Sequence, residues 1–107
     1  MKRKSAIHYR QGDILLIRIS TLPPKAEKQP KTARIVLGEG ETSGHRHEIL
    51  EVDKVDVYRQ AEGFYLSVYE ETALVHPEHA PVALFPGIHE RIRQVEYKRK
   101  EIVRVID

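Results

Sequence analysis

Short runs in which apolar and polar residues alternate, each closed by glycine or proline, constrain this chain more than any other feature. Successive side chains of a strand point to opposite faces, so a period of two marks a half-buried strand. Such runs, or short apolar runs of strand length, occur at 13–19, 34–37, 47–52, 55–58, 64–69, 72–76, 88–97 and 102–106. The breaks between them have turn chemistry: Gly12-Asp13, the proline-rich stretch 21–30, Gly38-Glu39-Gly40, Ala61-Glu62-Gly63, Pro77, Pro81 and Phe85-Pro86-Gly87. No segment carries a helical apolar stripe longer than two turns. The pattern predicts an all-β fold, a small β-barrel or sandwich, with residues 1–107 forming a single domain.

A chain of 107 residues is too short for two independent cores, yet long enough to bury about two-thirds of its unfolded surface. Cysteine is absent, which excludes disulfides, thiolate metal sites and cysteine nucleophiles. The basic start Met1-Lys2-Arg3-Lys4-Ser5 is followed by no apolar run of signal-peptide length. The longest apolar stretch, 14–17, is strand-sized. A soluble cytoplasmic protein with no membrane association is expected; a homo-oligomer is compatible with the sequence. The net charge is +2, but cations cluster at Lys2, Arg3 and Lys4 and again at Arg91, Arg93, Lys98, Arg99, Lys100 and Arg104. The C-terminal group is either a solvated face or a surface for RNA or another polyanion.

Six histidines are present, and four form two pairs. His45 and His47, one residue apart after Gly44, share a strand face and suit two bonds to one metal ion. Glu51 has the same parity and adds a candidate carboxylate. His76 and His79 flank Pro77 and precede Pro81, a turn that can bring both imidazoles to one side. His89, after Pro86-Gly87, is a further candidate. His45, His47, His76, His79 and Glu51 are thus candidate ligands for a divalent ion, with zinc, manganese, iron, nickel or copper all compatible. A metal with an open position would activate water or polarise a substrate oxygen, as in a hydrolase.

The same residues support a metal-independent reading. His47, His76 and His79 can act as general base and general acid across a phosphodiester, cleaving RNA through its own 2′-hydroxyl. Arg46, Arg91, Arg93 or Lys98 would then stabilise charge on phosphate oxygens. A non-catalytic module that binds nucleic acid or a small ligand is the third reading. Two glutamines stand in strand-like settings, Gln11 and Gln94. If Ile92 points inward, Gln94 on the same face does too, and orienting a histidine through its second nitrogen is one task for such a buried amide. Gln94 is therefore grouped with the catalytic candidates.

The run His45-Arg46-His47-Glu48-Ile49-Leu50-Glu51 resembles the His-x-His-x-x-x-Glu core of the first cupin motif. Phe85-Pro86-Gly87-Ile88-His89 loosely resembles the Pro-x-Gly and His portion of the second. The resemblance implies a small β-barrel holding a metal inside, usually through three histidines and a glutamate. Over most of its length the chain also resembles small bacterial and phage proteins with an Arg-Gln-Gly-Asp start, a Gly-His-x-His centre, a His-x-x-His-x-Pro turn and an Arg-Gln-x-Glu-Tyr end.

Overall fold

The structure is a computed structural model that describes residues 8–39 and 44–93. Its strands follow the alternation in the sequence: β1 (His8–Gln11), β2 (Ile14–Ile19), β3 (Glu27–Lys28), β4 (Ile35–Glu39), β5 (Arg46–Ile49), β6 (Val55–Gln60), β7 (Gly63–Val68), β8 (Thr72–Val75), β9 (Val82–Leu84) and β10 (Gly87–Arg93). A 3-10 turn at Val52–Lys54 ends the β5 region. The strands form a six-stranded sheet in the order β1-β2-β10-β7-β6-β3 and a four-stranded sheet in the order β4-β5-β8-β9. Pairing is antiparallel in both. The all-β expectation holds, and two separate sheets make a sandwich rather than a closed barrel.

Register shows which face of each strand is buried. Along β2, Ile14 and Leu16 are fully buried, while the alternate Leu15 and Ile17 are half-buried on the outer face. Facing residues from the smaller sheet, Leu37, Ile49, Leu74 and Leu84, are also fully buried and join Leu66 and Val55 in one core. Burying each such side chain contributes about 1.5–3 kcal/mol.

On β10, Arg91 and Arg93 lie opposite Leu16 and Ile14, so His89, Arg91 and Arg93 face the core side. Ile88, Glu90 and Ile92 take the outer face. The expectation that Ile92 leads an inward face is therefore corrected: partners in β2, not the apolar character of Ile92, set the parity. Arg91 spans the sandwich, donating from Nη1 to the Leu37 carbonyl at 3.0 Å. Residues 94–97 and 102–106, with Gln94 and the basic cluster from Lys98 to Arg104, lie outside the described residues.

Two-residue loops join β1 to β2 and β6 to β7, because Gln11 pairs with Ile14 and Gln60 with Gly63. The first loop is Gly12-Asp13, with Gly12 at φ +60°, the left-handed conformation that glycine tolerates. It brings both its residues to the edge of the sandwich, next to β5 and the β8–β9 connection.

Candidate functional site

Glu48 pairs with Val75. One step along each antiparallel strand puts His47 and His76 side by side, and their ring centroids are 4.3 Å apart. The proline-framed turn returns His79 to within 4.6 Å of His76. The His79 ring is nearly parallel to that of His47 at 5.8 Å. His45 completes the group, edge-on to His76 at 5.8 Å, with Nδ1 3.5 Å from Glu78 Oε2. All four predicted imidazoles therefore lie in one group of ring contacts, but His45 precedes β5, which begins at Arg46, so the expected strand-borne pairing with His47 is not what places it. Gly12 lies against two of the rings: a Cβ there would be 2.9 Å from His79 Nε2 and 3.0 Å from His47 Cε1.

The hydrogen bonds assign protons to two of these rings. Gln11 is buried, and its amide nitrogen donates to the carbonyls of Leu74 and Ala80, each at 2.9 Å. Two carbonyl acceptors require the NH₂ end there, so Oε1 is the end that faces His47 Nδ1 at 2.8 Å. An amide oxygen only accepts, hence His47 carries its proton on Nδ1 and presents a lone pair on Nε2. His76 has the reverse assignment. Its Nδ1 accepts the backbone N–H of Glu78 at 3.0 Å, so the neutral ring carries its proton on Nε2.

Burial lowers the pKa of His47, with His76, His79 and Arg93 acting in the same direction and the Asp13 carboxylate against them. Asp13 Oδ1 is 3.5 Å from His47 Nε2. The pKa of His76 is lowered by burial and then by its neighbours His79 and His45. Both rings are thereby held toward the neutral form near pH 7. Arg93 is close by, with Nε packed toward β4 at Gly38, and that nitrogen has no hydrogen-bond partner among the described residues.

Other predicted residues lie elsewhere. Glu51 is past the end of β5, where it accepts from Thr72 Oγ1 at 2.7 Å and Lys54 Nζ at 3.1 Å; two-residue parity does not carry beyond the strand. His89 is fully buried in the core and paired with the Phe85 carbonyl at 3.2 Å, edge-on to Tyr9. Arg46 points to Glu39. Among the described residues no three His, Asp or Glu side chains are arranged to share one ion. Asp13 and Gly12, read from sequence only as a turn, are the site residues that sequence reasoning missed; the Gln-Gly-Asp run was their only signal.

Residues 10–94 match the family described as a domain of unknown function (DUF8820), and the chain belongs to that family. No curated protein and no solved structure matches it.

Proposed function

We propose that this DUF8820 member is a metal-independent, histidine-based catalyst that cleaves RNA through the substrate's own 2′-hydroxyl. The observation that carries this reading is the pair of opposite tautomers at neighbouring rings: His47 offers a lone pair on Nε2 and His76 a proton on Nε2. A single ion shared by both Nε2 atoms would require His76 to move its proton to Nδ1, against the N–H of Glu78.

In the proposed reaction His47 Nε2 removes the 2′-hydroxyl proton as that oxygen attacks phosphorus. Asp13 stabilises the imidazolium that forms. His76 Nε2–H and Arg93 donate to the non-bridging oxygens, where negative charge develops. The bond from phosphorus to the 5′ oxygen breaks as His79 delivers a proton to the departing oxygen. The products are a 2′,3′-cyclic phosphate and a 5′-hydroxyl. Positioned proton transfer of this kind contributes about 10²–10⁴-fold.

The test is cleavage of an RNA oligonucleotide by the full chain in excess chelator. Cleavage is expected there, is lost in His47→Ala, and does not occur when the scissile nucleotide is 2′-deoxy. A cupin-type metal centre on the same imidazoles is the competing reading, since an Nδ1-anchored histidine is also how ligating histidines are oriented. Activity abolished by chelator and restored by one divalent ion would establish that reading and overturn ours. Binding of RNA without cleavage would reduce the site to a non-catalytic module.

A further inference from the structure

A cavity of about 340 Å³ opens between β4 of the smaller sheet and β6 and β7 of the larger. Its walls are Ile35, Val36, Val57 and Phe64, and Arg34 and Arg59 stand among them. Arg59 pairs with Phe64 across β6 and β7, and its guanidinium lies over the Phe64 ring at 5.1 Å. Stacking of this kind holds a flexible side chain flat while leaving its N–H groups directed outward. Arg34 is already engaged by Glu48 at 3.0 Å, which makes Arg59 the cation of the cavity. The volume is in the range of small-molecule sites, and the apolar walls with one planar cation suit a flat ring bearing an anionic group.

Phe64, the buried back wall of the cavity, is shared with the core-facing side of β10. Arg91 covers the same Phe64 ring at 4.5 Å, and Arg93, beside His47, is two residues further along β10, about 6.6 Å by strand geometry. Phe64 is thus contacted by two guanidiniums, Arg59 at the cavity and Arg91 in the sandwich interior. We infer that the cavity binds one nucleotide unit of an RNA strand, its base between the apolar walls and its phosphate on Arg59. The inference rests on the proposed RNA substrate for its choice of ligand, but its test reads binding alone.

Adenosine 5′-monophosphate, adenosine and ribose 5-phosphate are titrated into the ¹⁵N-labelled full chain. The monophosphate is expected to saturate, with amide shifts centred on Val36, Val57 and Arg59 and with both fragments more than about tenfold weaker. Arg59→Ala should weaken the monophosphate about tenfold or more, and Val36→Trp, at an exposed wall, should fill the cavity and abolish the response. His47→Ala should bind the monophosphate as the parent does, so that loss of cleavage and loss of this site are separate results. Unchanged thermal midpoints in the Arg59 and Val36 variants show that they fold. No saturable shift, shifts centred elsewhere, equal binding of ribose 5-phosphate, or undiminished binding by folded Arg59→Ala would each overturn the assignment.

Discussion

Gln11 Oε1 accepts the Nδ1–H of His47 at 2.8 Å, and both amide protons of the same glutamine are spent on the Leu74 and Ala80 carbonyls. One side chain thereby ties β1 to β8 and to the turn that carries His79, while setting the tautomer of His47. Gln11→Leu would leave two carbonyls and an imidazole nitrogen unpaired in a buried place, and should cost about 2–4 kcal/mol. Gln11→Glu separates positioning from packing. Its carboxylate faces the two carbonyls, and as a new charge beside Nδ1 it should raise the His47 pKa. In ¹⁵N spectra of the parent, His47 should show the Nδ1–H tautomer and His76 the Nε2–H tautomer; identical tautomers at the two rings would refute the assignment. In Gln11→Glu the acidic limb of the cleavage profile should move to higher pH, which a purely structural role would not do.

Stability should fall on mild acidification. His47, His76 and His89 all have pKa values lowered, with burial the largest cause in each; at His89 the bond to Phe85 opposes the shift and Arg18 adds to it. In the unfolded chain these rings protonate near pH 6.5. Between that value and the lower folded values the unfolded state binds more protons, so stability rises with pH through this window. The full contribution is present above about pH 6.5 and is lost as pH falls toward the folded values. Urea midpoints should therefore decrease from pH 7.5 to pH 5, and His89→Leu should remove up to about 1.4 kcal/mol per pH unit from that slope. A flat profile in the parent would contradict the burial of neutral imidazoles.

The β6–β7 loop holds a residue in a conformation it pays for. Ala61 has φ +52°, at the first position of a two-residue hairpin loop where glycine is preferred. A non-glycine residue in the left-handed region costs about 1–2 kcal/mol, and glycine returns part of that as unfolded-state entropy. Ala61→Gly should stabilise the protein by roughly 0.5–1 kcal/mol, read as a higher urea midpoint with an unchanged slope. Because the loop is exposed and distant in sequence from the histidines, cleavage should not change.

Much of this was legible because strand parity is a local property. The runs at 13–19, 55–58 and 64–69 became β2, β6 and β7 with end shifts of one or two residues, and the proline-framed turn brought His76 and His79 together as expected, whereas β5 begins at Arg46 and leaves His45 outside the strand expected to carry it beside His47. What was not legible depended on pairing between distant strands. Glu51 kept its parity in the sequence but not in space, because β5 ends at Ile49 and the Val52–Lys54 turn redirects the chain. The inward face of β10 is arginine and histidine, a choice made by its neighbours β2 and β7. β1 carries Tyr9 and Gln11 inward from the unpromising run His8-Tyr9-Arg10-Gln11, and nothing in that run announces that the glutamine will meet a histidine 36 residues away.

Gly12 tests whether the cluster is organised or merely crowded. It needs glycine twice over. Its φ of +60° disfavours any β-carbon, and that carbon would press on His79 Nε2 at 2.9 Å and His47 Cε1 at 3.0 Å. The backbone contribution to Gly12→Ala is about 1–2 kcal/mol, a loss that an intact sandwich can tolerate. The contact contribution acts elsewhere: His79 ends an exposed turn and can yield, whereas His47 is held by Gln11. The ring of His79 should therefore swing away while His47 keeps its tautomer. Gly12→Ala is expected to remain folded, to retain the Nδ1–H signal of His47, and to lose cleavage at least about tenfold because the proton donor is displaced. Full activity in a folded Gly12→Ala protein would show that His79 takes no part in the proton transfer.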